Sequence, residues 1–322
     1  MEKKWIIKEK GDIAVVLRLA KAAGVSEALA NLMVQRNITT PEEATSFFEP
    51  DLSNLHDPFL MKDMNIAVER ISTAIKKNEK ILVYGDYDVD GTTAVALMYS
   101  FLREQSSSVE YYIPDRYKEG YGVSFQGIDF ASQNNCKVLI TLDCGIKAVE
   151  KVKYARTKGL DVIICDHHYP GDTIPKATAV LDPKQSSCSY PYKELSGCGV
   201  GFKLIQAFAR IHGIPFSKIA NYLDLVAVSI ASDIVPLTGE NRILAYFGLK
   251  QLNEFPRTGL REIIREADVC RALTIEDVVF KLGPRINAAG RMETGSKVVE
   301  LLVSNDPRVA TEISKEINNF NI

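Results

Sequence analysis

Carboxylates and imidazoles gather at four places in this chain, each directly after an apolar run. The first is Ile81-Leu82-Val83-Tyr84-Gly85-Asp86-Tyr87-Asp88-Val89-Asp90-Gly91-Thr92-Thr93. The second is Leu139-Ile140-Thr141-Leu142-Asp143-Cys144-Gly145. The third is Val162-Ile163-Ile164-Cys165-Asp166-His167-His168, and the fourth is Ala231-Ser232-Asp233-Ile234-Val235-Pro236. Asp86, Asp88 and Asp90 would point the same way if the backbone stays extended, because an extended chain has a period of two. Carboxylates so placed repel one another unless positive charge sits between them, and a divalent cation is the simplest source. Each segment alone has a plainer explanation, since an Asp after a strand commonly caps a helix or forms a turn. For Asp143 or Asp233 by itself that explanation leads. Adjacent His167 and His168 are harder to set aside in a chain with 4 histidines. Taken jointly, the segments favour a metal site.

The donors are carboxylates with one or two imidazoles and no thiolate, a set that suits Mn²⁺ or Mg²⁺ better than structural zinc. So many acids can hold two ions about 3.5–4 Å apart, an arrangement that cleaves phosphate esters.

The elements that must position these groups alternate. Strands are expected at residues 80–85, 109–113, 138–142, 162–165 and 179–181, with helices at 92–104, 125–133 and 147–158. Apolar strands alternating with helices predict an α/β fold, a mostly parallel sheet flanked by helices. Function in such sheets gathers beyond the carboxyl ends of the strands. Ahead of the sheet, helical spacing at 13–22 and 27–35 and a Thr40-Pro41-Glu42-Glu43 helix start predict a small helical appendage over residues 1–58. An amphipathic helix follows at 64–77. After Pro191 the pattern is mainly helical, with helices expected at 199–212, 217–232, 241–253, 260–266 and 306–320. The domains expected are 1–58, 59–270 and 271–322.

At 322 residues the chain is long for one domain and sufficient for one domain with an appendage. Its net charge of −2 excludes nucleic-acid binding by overall basicity, so such binding would use local patches. No apolar run approaches the roughly 20 residues that span a bilayer. The N-terminus lacks a signal-peptide layout, and a cytoplasmic protein without membrane partners is expected. The 6 cysteines form no CxxC pair and read as reduced thiols. Gly197-Cys198-Gly199-Val200-Gly201-Phe202-Lys203 does not fit a phosphate-binding P-loop and reads as a tight turn with close helix packing. Arg116, Tyr117, Lys118 and Tyr121 could stack bases and meet phosphates, or form an ordinary solvated loop. His56 and His212 read as structural.

The ordered set of Asp-Tyr-Asp-Val-Asp-Gly, Asp143, Asp166-His167-His168 and Asp233 resembles the four motifs of the DHH phosphoesterase superfamily. Glu119-Gly120-Tyr121-Gly122, Asp166-His167-His168-Tyr169-Pro170-Gly171, Ser232-Asp233-Ile234-Val235-Pro236-Leu237 and Gly283-Pro284-Arg285-Ile286-Asn287-Ala288-Ala289-Gly290-Arg291 resemble its RecJ branch, single-strand-specific 5′-to-3′ exonucleases. The resemblance implies that Asp90, Asp143, His167 and Asp233 hold one ion. Asp88 and Asp143 hold the other, with Asp86 nearby and Asp143 bridging. It implies that His168 faces the scissile phosphate, and that Arg285, Asn287 and Arg291 bind the substrate backbone or its 5′ end. A structural contact for Arg285 is the alternative. The implied substrate is single-stranded DNA with a 5′ phosphate, and the implied partners of the intact protein are a single-strand-binding protein and a helicase. Family members carry a second lobe with a Gly-Gly-His motif and a nucleic-acid-binding barrel, neither of which occurs here. The last helix is therefore expected to be a truncated inter-lobe linker without a packing partner. Hydrolysis of short oligonucleotides, cyclic dinucleotides or pyrophosphate is a second reading. A non-catalytic DHH module in a repair assembly is a third, and its signature, a lost aspartate, is missing.

Overall fold

Apolar runs too short for core helices form a five-stranded sheet. Its strands are β1 (Lys80–Gly85), β2 (Val109–Tyr112), β3 (Cys136–Leu142), β4 (Asp161–Cys165) and β5 (Ala179–Leu181). All pairings are parallel, in the order β2-β1-β3-β4-β5. The computed structural model describes residues 4, 6–290 and 295–319. Register places Gly85 beside Leu142 and Leu142 beside Cys165. The carboxyl ends of β1, β3 and β4 therefore finish level, and the acids that follow them emerge at one edge. The strand order reverses between β1 and β3, and that switch point is where such sheets open a crevice.

Contacts divide the chain into two compact units, Met1–Leu55 and His56–Ile322. In the first, α1 (Ile13–Ala23), α2 (Glu27–Val34) and α3 (Pro41–Phe48) enclose Val16, Leu19, Ala30, Met33, Ile38 and Ala44. Asp12 and Ser26 cap α1 and α2, and Thr40 with Glu43 forms a reciprocal capping box behind Pro41.

In the second unit the sheet is covered on both faces. α4 (Met64–Lys76) and α5 (Val89–Gln105) lie on one face, with Ile81 and Val83 buried beneath α5. Leu82 and Tyr84 point to the opposite face, where α6 (Phe125–Gln133) and α7 (Val149–Thr157) bury Ile128, Val152 and Ala155. The helical remainder comprises α8 (Gly197–Ile211), α9 (Phe216–Ile219), α10 (Leu223–Ser232), α11 (Gly239–Glu254) and α12 (Thr258–Glu266). It continues with α13 (Ile275–Asp277), α14 (Gly283–Gly290), α15 (Gly295–Val303) and α16 (Pro307–Asn319). α5 is buried almost all round because α8 and α10 pack on its outer side.

Three expectations change. α5 starts at Val89 rather than 92, because Asp88 already caps it. The single helix expected over 217–232 is two, α9 and α10, separated by a tighter turn at Ala220–Tyr222. α16 does not lack a partner. Its buried Ala310, Ile313 and Ile317 form a face that packs on α12, and Thr311 donates a hydrogen bond to Glu262 there.

Candidate metal centre

Asp86 follows β1 directly and is buried. Its carboxylate accepts the Tyr87 N–H at 2.7 Å and the Gly122 N–H at 2.8 Å. The chain then turns instead of running on extended. Asp88 becomes the N-cap of α5, accepting the Gly91 N–H at 2.9 Å, and Asp90 sits in the first helical turn. The period-two argument is therefore corrected: a cap followed by a helical turn, not an extended strand, positions Asp88 and Asp90. Gly91 is required in this turn, since a Cβ there would lie 2.4 Å from the Asp86 carbonyl oxygen.

Asp143 follows β3 with φ of 59°, a left-handed conformation that aspartate tolerates better than most residues. Its side chain is 2% exposed, and neither carboxylate oxygen has a hydrogen-bond partner. Beyond β4, Asp166 accepts the N–H groups of Ile146, His167 and His168 and also binds His168 Nδ1 at 2.7 Å. Asp166 thus holds the two histidines in place and orients the second. His167 is buried and neither ring nitrogen makes a hydrogen bond. Its Nε2 lies 3.1 Å from Asp143 Oδ1, 3.6 Å from Asp233 Oδ2 and 3.7 Å from Asp90 Oδ2.

Ligand atoms of Asp90, His167 and Asp233 fall within 4.8 Å of one another, as do those of Asp143, His167 and His168. The first group is drawn from the first turn of α5, the segment after β4 and the C-terminus of α10. Asp88, Asp90, Ser232, Asp233 and Asn287 line a cleft of about 140 Å³ at the same place.

The electrostatics follow from crowding. Burial, then Asp90 and Asp88, push the Asp143 carboxyl well above the ordinary carboxylate range. Burial and then neighbouring carboxylates raise Asp88, and raise Asp233 to about 7. Burial raises Asp86 to about 7. Burial also disfavours charge on His167, whereas the hydrogen bond to Asp166 favours it on His168. Asp182, which follows β5, is likewise raised by burial to about 7. A buried polar group without a partner costs about 1–3 kcal/mol, and a charged one more. Asp143 Oδ1 and His167 Nε2, 3.1 Å apart and without hydrogen bonds, face the same space as Asp90 and Asp233, and their chemistry fits a hard divalent cation. Such a charge reverses the repulsion that drives these acids toward protonation.

Some positions that shape the candidate site are not apparent from spacing. The glycine-rich stretch beginning at Gly197 is the N-terminus of α8, and its backbone grips Asp90. The Gly197 N–H donates to Asp90 Oδ2 at 2.7 Å and the Cys198 N–H to Oδ1 at 2.8 Å. The Ser229 hydroxyl donates to the same Oδ1 at 2.7 Å and lies 2.6 Å from Ser196 Oγ. Gly197 also passes Asp143 so closely that a Cβ would sit 2.6 Å from that residue's Cβ. The sole sequence signal was the run of glycines at a helix start.

At the rim, Tyr121 Oη lies 3.5 Å from His168 Nε2, the Tyr87 and Tyr121 rings meet edge to face, and the Arg116 guanidinium covers the Tyr87 ring. Arg285 makes intramolecular contacts: its Nε donates to Asn318 Oδ1 at 3.0 Å and its Nη1 to the Lys281 carbonyl at 2.8 Å. Arg291 lies outside the described residues.

Comparison with known proteins gives a consistent picture. The model of the DHH family N-terminal domain matches residues 80–230. The chain is 42% identical over 320 residues to the single-stranded-DNA-specific exonuclease RecJ of Bacillus subtilis, covering 99% of this chain and 40% of that protein. It is 36% identical over 267 residues to the Escherichia coli exonuclease of the same name, covering 79% of this chain and 46% of that protein. The chain thus spans less than half the length of these relatives. A crystal structure of exonuclease RecJ bound to manganese superposes with a TM-score of 0.76 at 31% identity, covering 84% of this chain and 67% of the other. RecJ of Thermus thermophilus in complex with Mn²⁺ superposes with a TM-score of 0.82 at 27% identity, covering 96% of this chain and 44% of the other. Sheet order, converging acids and these similarities agree: the chain belongs to the DHH family and, within it, to the RecJ type.

Proposed function

We propose that this chain is the catalytic part of a metal-dependent phosphodiesterase that removes nucleotides from the 5′ end of single-stranded DNA. The observation that carries the reading is the convergence of buried Asp90, Asp143 and His167 with the more exposed Asp233, Asp143 and His167 making no side-chain hydrogen bond. The names of the relatives and their manganese-bound structures support it.

In this reading Asp90, Asp143, His167 and Asp233 would hold one Mn²⁺ or Mg²⁺, and Asp88, Asp86 and Asp143 would serve a second. When bound, such ions acidify a water to hydroxide near neutral pH and offset charge growing on the phosphoryl oxygens. Asp166 fixes the His168 ring through Nδ1 and favours its protonated form. His168 therefore presents its other nitrogen, as a cation, to the scissile phosphate. Tyr87, Tyr121 and Arg116 supply ring faces and a positive charge to the nucleotide beside it. Asn287, which lines the cleft, would meet the substrate backbone, and Arg285 and Arg291 would bind toward the 5′ phosphate, Arg285 by exchanging its contacts with Asn318 and the Lys281 carbonyl for the substrate. Residues 59–270 form the phosphoesterase domain, and 271–322 carry the substrate-contacting stretch. Among the described residues no helix is long and apolar enough to cross a membrane. A DNA substrate fits a cytoplasmic location, where a single-strand-binding protein and a helicase would engage the longer protein.

The test is Mn²⁺-dependent release of mononucleotides from a 5′-phosphorylated single strand, with short oligomers and pyrophosphate assayed in parallel. Asp143→Ala is expected to abolish release. Unchanged turnover in that variant would sink the assignment, and turnover of pyrophosphate alone would replace the substrate.

A further inference from the structure

Seven non-glycine residues among those described have positive φ. Six are Asn37, Asp63, Asn78, Asn135, Asp143 and Asp268, the two residue types that tolerate the left-handed region. The seventh is Ile234, with φ of 58°. A β-branched residue there is a genuine outlier, because its Cβ substituents crowd the backbone. The position explains the conformation but not the residue. α10 ends at Ser232 with Asp233 as its C-cap, so Ile234 is the residue that reverses the chain after a helix. Glycine usually fills that place, as Gly213 with φ of 66° does two residues beyond the end of α8.

Among the described residues, burial does not offset this strain. Ile234 is 79% exposed, so its side chain gains no burial. The segment after it is pinned, because the Pro236 carbonyl accepts hydrogen bonds from Tyr192 Oη and Asn241 Nδ2, both at 3.1 Å. Its chain neighbour Asp233 faces His167 across the acidic cleft. A stiff, apolar side chain is thus held in water on the residue next to Asp233, which lines that cleft together with Asn287. Tyr87 and Tyr121 stand on the flank formed by Asp86 and His168. Backbone strain retained beside a site is characteristic of ligand contacts.

We infer that Ile234 is a substrate-positioning residue whose side chain packs against the base of a nucleotide flanking the scissile phosphate. The inference rests on the phosphodiesterase reading. A DNA strand is anionic along its backbone, and its base faces are the broad apolar surfaces it can offer. One β-branched chain with a fixed χ1 supplies a rigid counterface.

The test compares the unsubstituted chain with Ile234→Gly, Ile234→Asn and Ile234→Val. It measures the thermal midpoint and the steady-state kinetics of Mn²⁺-dependent mononucleotide release. One substrate is a 5′-phosphorylated oligothymidylate. The other is the same oligomer with abasic residues at its first two positions. Ile234→Gly and Ile234→Asn are expected to raise the midpoint by about 2–4 °C. They are also expected to raise KM on the ordinary oligomer about fivefold, equivalent to about 1 kcal/mol. Ile234→Val is expected to keep both wild-type values, and all four proteins should share one KM on the abasic oligomer. An unchanged KM for Ile234→Gly, or a KM difference that survives on the abasic oligomer, overturns the inference while the phosphodiesterase reading stands. No release by the unsubstituted chain removes both.

Discussion

At the scale of single residues, the acids and histidines of the site were legible because their type and their place after apolar runs are written in the sequence. The donors that orient them were not, since a backbone N–H has no letter of its own and a serine inside an apolar helix looks incidental. Asp90 shows what they do. Its Oδ1 receives both the Cys198 N–H and the Ser229 hydroxyl, while Oδ2 receives the Gly197 N–H and faces His167. One oxygen is therefore saturated and the other is aimed into the site. Removing partners that orient ligands typically lowers metal affinity 10–100-fold. Ser229→Ala is accordingly expected to weaken Mn²⁺ binding by about tenfold, read by titration calorimetry on the metal-free chain, with an unchanged far-ultraviolet spectrum. An affinity equal to that of the unsubstituted chain would mean that the two backbone donors suffice.

At the scale of elements, five strands and most helices could be read from period and punctuation, because each buries an apolar face that leaves a pattern. What could not be read is how elements start and meet. The first turn of α5 contains Asp90, Gly91 and two threonines, a polar opening that gives no helical apolar stripe. The neighbour order β2-β1-β3 depends on contacts between distant segments, which no local window contains. α8 illustrates the functional weight of such junctions. Its N-terminus brings Gly197 against Asp143, and the approach leaves no room for a side chain. Gly197→Ala is expected to push the helix end and Asp143 apart. The Asp90 hydrogen bonds would lengthen, the thermal midpoint would fall by several degrees, and Mn²⁺ affinity would drop by at least tenfold. A variant that binds Mn²⁺ normally would show that this close approach is incidental.

At the scale of the whole molecule, the crowded acids make stability depend on pH and metal together. Burial first, and like charges second in the cluster, hold Asp86, Asp182 and Asp233 at about 7, above the ordinary carboxylate value of an unfolded chain. A raised carboxyl binds its proton more tightly in the folded state. Its contribution is complete below the unfolded value of about 4 and is lost as pH rises through about 7. The metal-free chain should therefore have a falling thermal midpoint between about pH 4.5 and pH 7.5. Mn²⁺ should reverse the trend, adding about 2.7 kcal/mol at a hundredfold excess over its Kd, or about 5–10 °C in midpoint. A flat pH profile without metal would contradict the burial of these groups. The spread of the converging side chains along the chain has a consequence during synthesis. Asp90 leaves the ribosome early, yet its neighbours in space arrive only as β3, β4 and finally α10 are translated. A growing polypeptide that stops short of Asp233 carries most of the acids but has no completed nook, so the site closes only once the residue after α10 has been made.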